Sequence, residues 1–239
     1  MKFFIGCSGF YYKHWKGKFY PADLPEKRWF EYYCMNFNTL ELNVTFYRFP
    51  ELSTLQKWYR NSPSDFRFSV KAPRTITHYK KFHDTETLVR DFYQVVHEGL
   101  KEKLGCVLFQ MPPSFIFSTE RLERIIAGLD PSFRNVIEFR HQSWWRQDVY
   151  DILEKHGISF CGMSHPDFPT DLIRNTIFFY YRMHGRTQTY SSGYSEPELK
   201  AFAVQLKKLK QTSEVYVYFN NDVQGFAVDN AKSLQNHLP

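Results

Sequence analysis

One alternation runs the length of the chain, and it limits what the chain can fold into. Eight short runs rich in β-branched and aromatic residues are separated by longer stretches, most of them with helical spacing. The runs are Phe3–Ser8, Thr39–Asn43, Phe66–Lys71, Cys106–Met111, Asn135–Arg140, Ile158–Met163, Thr176–His184 and Val215–Asn221. The helical stretches are Pro25–Asn36, Leu52–Arg60, Thr85–Lys103, Thr119–Leu129, Asp148–His156, Ser195–Lys210 and a last one closing near Asn236. Strands joined by helical crossovers lie parallel. Eight such units in 239 residues predict a single α/β domain over residues 1–239, a TIM-like (β/α)8 barrel. The sixth unit is weakest: Ser164–Asn175 holds Pro166 and Pro169 and has room for about one helical turn. A doubly wound open sheet is the alternative. It usually carries a glycine-rich fingerprint after its first strand, which Gly6-Cys7-Ser8-Gly9 matches poorly.

Composition removes several classes. With 24 Phe, 16 Tyr and 5 Trp in a 43% hydrophobic chain, intrinsic disorder is excluded. No stretch reaches the roughly 18–20 apolar residues of a membrane helix, so no membrane partner is expected. Phe3–Phe10 is broken by Gly6, Ser8 and Gly9 and reads as a strand, not a signal peptide. Cys7, Cys34, Cys106 and Cys161 form no C-x-x-C pair, which argues against a zinc knuckle or a dithiol site. They read as the reduced thiols of a cytoplasmic protein. No H-E-x-x-H, H-x-x-x-H or D-x-D spacing occurs, and neither a metal nor a cofactor is expected. Lys and Arg total 31 against 25 Asp and Glu, and the net charge of +6 suits an anionic partner without naming one.

Period-two alternation puts the polar residues of six strands on one face, near their C-terminal ends. Glu41 and Asn43 share a face of the second strand; Ser69 and Lys71 share one on the third. Gln110, then Glu138 and Arg140, then Arg182 and His184, then Tyr218 and Asn220 do so on later strands. Buried charges need partners. Barrel active sites lie at this end, which makes the pattern a candidate site. Glu41 and Glu138 are its two carboxylates, either an acid–base pair or neutralisers of Lys71, Arg140 and Arg182. Lys71 is an anion contact or a nucleophile, and His184 an acid–base or hydrogen-bonding group. His78 lies in a basic loop, Ala72–His83, over the expected mouth.

The same residues carry a resemblance. Gly6-Cys-Ser-Gly-Phe-Tyr-Tyr-Lys-His-Trp-Lys-Gly-Lys-Phe-Tyr-Pro21 resembles the opening motif of the domain-of-unknown-function 72 family, also called YecE-like. Glu41–Arg48, Phe68–His78, Leu108–Phe115, Glu138–Trp144, Arg182–Arg186 and Tyr218–Asp222 match it in order, with Ala227 and Asn230-Ala231 beyond. Phe10 stands where the family usually has Trp. The resemblance implies a TIM-like barrel and assigns no reaction, because a fold does not carry one.

Two functions of different class follow. The first is an enzyme, a hydrolase or isomerase, doing acid–base chemistry on a small polar or anionic, sugar- or phosphate-like substrate. Its catalytic residues would be Glu41, Glu138, His184 and Lys71. Its substrate contacts would be Asn43, Tyr47, His78, Gln110, Arg140, Trp144, Arg186, Tyr194, Asn220 and Asn221. Within that set Arg186, His184 and Lys71 are expected to hold the anion, Gly185 lets it approach, and Asp222 caps the last helix. The alternative is a barrel that binds or processes nucleic acid through its basic and aromatic loops.

Overall fold

The strands come first because they place every polar residue discussed below. The computed structural model describes residues 1–239. One sheet holds β1 (Lys2–Cys7), β9 (Glu214–Phe219), β8 (Phe178–Met183) and β7 (Gly162–Ser164), in that order. The other runs β2 (Thr39–Leu42), β3 (Arg67–Lys71), β4 (Leu104–Gln110), β5 (Asn135–Glu138), β6 (Ser159–Phe160). Every pairing is parallel. The sixth predicted strand thus appears as β6 and β7, interrupted at Cys161 alone. A parallel bridge between Ser8 and Glu41 links the ends of β1 and β2.

The helices are α1 (Trp29–Asn36), α2 (Val44–Tyr47), α3 (Leu52–Asn61), α4 (Glu86–Leu100), α5 (Thr119–Gly128), α6 (Gln147–Lys155), α7 (Glu196–Lys207) and α8 (Phe226–Asn236). Side-chain caps start two of them. Ser118 accepts from the Arg121 amide at 3.2 Å ahead of α5, and Ser195 with Glu198 forms a capping box on α7. No helix forms between Ser164 and Phe178, as the two prolines predict. The single turn α2 and the π-helical turn Thr75–Tyr79 were not expected. Val44-Thr-Phe-Tyr47 has no helical period to read, and its turn is held by tertiary contacts: the Thr45 hydroxyl donates to the carbonyls of Leu42 (2.9 Å) and Lys71 (2.6 Å).

Alternation separates two cores. One face of the strands packs on the helices in a cluster of 51 buried residues. The other face supplies a separate cluster of nine: Phe4, Cys106, Leu108, Val136, Cys161, Phe178, Tyr180, Tyr216 and Tyr218. Eight of these lie on strands of both sheets and Cys161 in the step between β6 and β7, so the sheets face each other across them. Polar bonds stitch the same space: the Tyr218 hydroxyl lies 2.6 Å from Thr39 Oγ1 and 2.8 Å from Ser69 Oγ. No helix is long and apolar enough to cross a membrane.

Candidate functional site

Above the apolar cluster, at the C-terminal strand ends, the inward side chains become charged. Glu41 is fully buried on β2 and accepts three hydrogen bonds. Its Oε1 accepts from Ser8 Oγ (2.6 Å) and Arg182 Nη2 (2.7 Å), and its Oε2 accepts from the Tyr180 hydroxyl (2.7 Å). Glu138, fully buried at the end of β5, accepts from Arg182 Nη1 at 2.8 Å and from Arg140 Nε. Arg182, 1% exposed, therefore bridges the two carboxylates. Burial alone would raise the Glu138 carboxyl; the Arg140 and Arg182 guanidiniums override it and hold the group well below its ordinary range. Of the two readings the sequence left open for these carboxylates, the contacts favour neutralisation.

His184 is neutral here. Burial, then the Arg140 charge, pushes its pKa well below the ordinary value. Arg140 Nη2 stands 2.8 Å from His184 Nε2, and a guanidinium only donates, so Nε2 accepts. The ring proton then sits on Nδ1, which faces the Asn220 amide at 3.3 Å. That pairing needs the amide oxygen of Asn220 turned to the ring, a choice the two similar ends of an amide allow.

Lys71 differs from all of these. It ends β3 at 8% exposure, and its Nζ makes no ion pair or hydrogen bond within the chain. Its close neighbour is the Phe46 ring, 4.0 Å below the ammonium. Burial, then the like charge of Arg182, draws its pKa down to about 7. His78 meets the Phe46 ring edge to face at 4.9 Å between ring centroids, and burial followed by the Lys71 charge lowers its pKa to about 4. Gln110 lies beside Glu138 in the strand register. Lys71, Glu41, Glu138, Arg140, His184, His78, Gln110 and Asn220 thus gather at one end of the fold.

Eight of the expected residues stand in other places or other roles. Trp144 is core: it stacks on Phe139 at 4.0 Å and donates to the Phe115 carbonyl at 2.6 Å, leaving no face for a ligand. Tyr194 is a strut whose hydroxyl accepts from the Gly185 amide at 2.8 Å. Asn221 is fully buried, donating to Ser192 O and Asn230 Oδ1. Arg186 lies on the surface and pairs with Glu198 at 3.1 Å. Gly185 keeps its positive φ of 99° to admit its own loop, since a Cβ there would stand 2.5 Å from Gln188 O. Asp222 caps no helix: Gly225 precedes α8, and Asp222 accepts from Trp15 Nε1 (2.9 Å) and contacts His14 Nε2 (2.8 Å). Asn43 and Tyr47 line a separate cleft beside α2.

The sequence reading passed over Ser8, Tyr180 and Phe46. Tyr180 was findable, because it lies two residues before Arg182 on the same face. Phe46 had no signal, since α2 turns it toward Lys71.

The fold and these strand ends define the class: a parallel α/β protein carrying a buried ion network at the C-terminal ends of its strands. The model of the family described as "Protein of unknown function DUF72" matches residues 4–239, and the chain belongs to that family. It is 25% identical to UPF0759 protein YunF of Bacillus subtilis over 252 aligned positions, covering 90% of this chain and 88% of YunF. UPF0759 protein YecE of Escherichia coli aligns at 28% identity over 135 positions, 56% of this chain and 49% of YecE. A DUF72 family crystal structure from Thermotoga maritima superposes with a TM-score of 0.90 at 32% identity, covering 99% and 98% of the two chains. One from Enterococcus faecalis shares the fold with a TM-score of 0.85 at 19% identity, covering 99% of this chain and 95% of that one.

Proposed function

We propose that this protein is a (β/α)8-barrel enzyme that moves a proton on a small anionic substrate at the C-terminal end of its strands, with Lys71 as the proton-transferring group. The Ser8–Glu41 bridge and the one-residue step at Cys161 support the barrel, because each joins the edges of the two sheets. Four free thiols support a reducing, cytoplasmic setting.

The observation that carries the reading is Lys71: a nearly buried ammonium without a partner, its pKa drawn to about 7, at the strand ends where parallel barrels do their chemistry. Charge arithmetic around it points to an anion. Glu41 and Glu138 offset Arg182 and Arg140, so a protonated Lys71 leaves one positive charge over. Binding an anion would raise the Lys71 pKa and keep it charged. Glu41 and Glu138 act through Arg182 as positioning residues. Neutral His184 fixes the Arg140 guanidinium, and Gln110 and Asn220 orient a polar group.

Thermal unfolding in phosphate, sulfate and citrate, against chloride at matched ionic strength, tests this. The anions are expected to stabilise the wild type more at about pH 6 than at about pH 8.5, on either side of the Lys71 pKa. Lys71→Met is expected to lose the response. Equal stabilisation of wild type and variant at both pH values would reject Lys71 as the anion-binding group.

A further inference from the structure

We propose that Lys71 forms an imine with an aldehyde or ketone that carries an anionic group. This goes beyond proton transfer at the same site and rests on that reading in one respect, an amine at the strand ends that is free near neutral pH. Lys71 Nζ makes no hydrogen bond or ion pair within the chain, yet it keeps some contact with water, so a small molecule can reach it. The titratable and charged groups around it are Arg182 from β8, Arg140 and Glu138 from β5, Glu41 from β2 and His78 from the turn Thr75–Tyr79. Neither carboxylate pairs with the ammonium: Glu41 accepts from Ser8, Tyr180 and Arg182, and Glu138 from Arg182 and Arg140. A lysine kept only to hold an anion is served best by a lasting charge. Here burial and the like charge of Arg182 favour the free amine instead. A desolvated lysine beside a second cation is the arrangement that makes an amine a nucleophile.

The amine lone pair forms a C–N bond to the carbonyl carbon as the C=O pair moves onto oxygen, and one proton passes from nitrogen to that oxygen. The nitrogen lone pair then expels the hydroxyl group, which takes a proton from solvent and leaves as water. The product is an iminium cation, which suits the Phe46 ring face 4.0 Å from Nζ. It has the same charge as a protonated lysine. The positive charge that Glu41, Glu138, Arg140 and Arg182 do not cancel therefore stays in place, and an anionic group on the substrate balances it. Arg140 is placed to hold that group. Its Nε bonds Glu138 and its Nη2 bonds His184, but Nη1 has no acceptor within the chain and keeps contact with water. Its charge also acts on Lys71.

Reductive trapping tests this on the wild type, with no variant that has to fold. The protein is incubated at about pH 7 with sodium cyanoborohydride and either pyruvate or glyceraldehyde 3-phosphate. Hydride adds to the iminium carbon and fixes it as a secondary amine, and peptide mass spectrometry then reads every lysine. Lys71 is expected to react about tenfold or more faster than any surface lysine with at least one of the two probes, because exposed lysines, with a pKa of about 10.4, are almost wholly protonated at that pH. The probe that reacts faster assigns the anionic group as carboxylate or phosphate. Methyl pyruvate and glyceraldehyde, which lack the charge, are expected to lose about tenfold of that preference for Lys71 over the surface lysines. Lys103, equally buried but bonded to Tyr59 and Ser62, is expected to stay unmodified. An unmodified Lys71, or one trapped no faster than the surface lysines, overturns the imine. Equal preference with the uncharged probes overturns the anionic group. An anion response in thermal unfolding that Lys71→Met abolishes, together with no trapping, would remove the imine and leave the proton-transfer reading standing.

Discussion

Two lysines are buried to nearly the same degree at opposite ends of the strands, Lys71 at 8% and Lys103 at 6% exposure. Lys103 enters β4 from its N-terminal end. Its Nζ donates to the carbonyls of Tyr59 and Ser62, both at 2.7 Å, and to Ser62 Oγ at 3.1 Å. All three ammonium hydrogens are used, so this lysine ties α3 to the strand below it. Lys71 leaves β3 at the other end with a ring beneath it and no acceptor. Burial is shared; provision for the charge is not. A structural lysine comes with its acceptors built in, and one kept for a ligand or a proton does not.

The largest effect is expected beneath Lys71. Arg182→Met strips the shared counter-charge from two fully buried carboxylates, each left with fewer donors. A loss of about 3–5 kcal/mol is expected in urea unfolding, the range for breaking a buried ion pair. Arg182 is also a like charge to Lys71. The Lys71 pKa should therefore rise in any of the variant that folds, measurable by competitive acetylation against pH. A small stability change would mean that the network is not what holds this end of the fold together.

The two lysines should then part in sign. Lys103→Met leaves the Tyr59 and Ser62 carbonyls without their donor and should destabilise by on the order of 2–4 kcal/mol. Lys71→Met should stabilise, and only in part of the pH range. The folded protein holds the Lys71 pKa near 7, against an ordinary value of 10.5. Between those values the unfolded chain binds a proton that the folded chain does not, so wild-type stability rises with pH across that window. Below about 7 the cost of burying the charge is felt in full; above 10.5 it is gone. The methionine variant should lead by about 1–3 kcal/mol at pH 6 in chloride and converge with the wild type by about pH 10. A variant less stable than wild type at pH 6 would erase the contrast.

The contrast was half legible in the sequence. Alternation was enough to turn Glu41, Glu138, Arg182 and His184 inward, because a strand's two faces are fixed by its backbone. It was enough to put Lys71 at a strand end. It could not say which charges cancel, since Arg182 takes carboxylates 141 and 44 residues away in sequence. Rings misled for a related reason: Trp144 after a strand reads equally as pocket wall and as core, and only its stacking on Phe139 decides. The cleft was hidden because the α2 turn that shapes it has no period of its own. His14 and Asp222 meet across 208 residues, a contact that no local pattern carries.

Arg186 gives the smallest expected effect and the sharpest check on which end-of-strand cation matters. Its place after β8, behind Gly185, matches the position where many barrels hold phosphate, and its guanidinium suits one. Yet its side chain is 63% exposed and already paired with Glu198, which is itself 36% exposed. Exposed pairs of this kind contribute about 0–1 kcal/mol, because water screens them and ordering two long side chains offsets the attraction. Arg186→Ala should shift urea unfolding by no more than about 0.5 kcal/mol. Its thermal response to phosphate and sulfate should equal that of the wild type, whereas Lys71→Met loses the response. If instead Arg186→Ala abolishes the anion effect and Lys71→Met keeps it, the anion belongs on the loop after β8, and the unpartnered lysine serves neither binding nor charge balance.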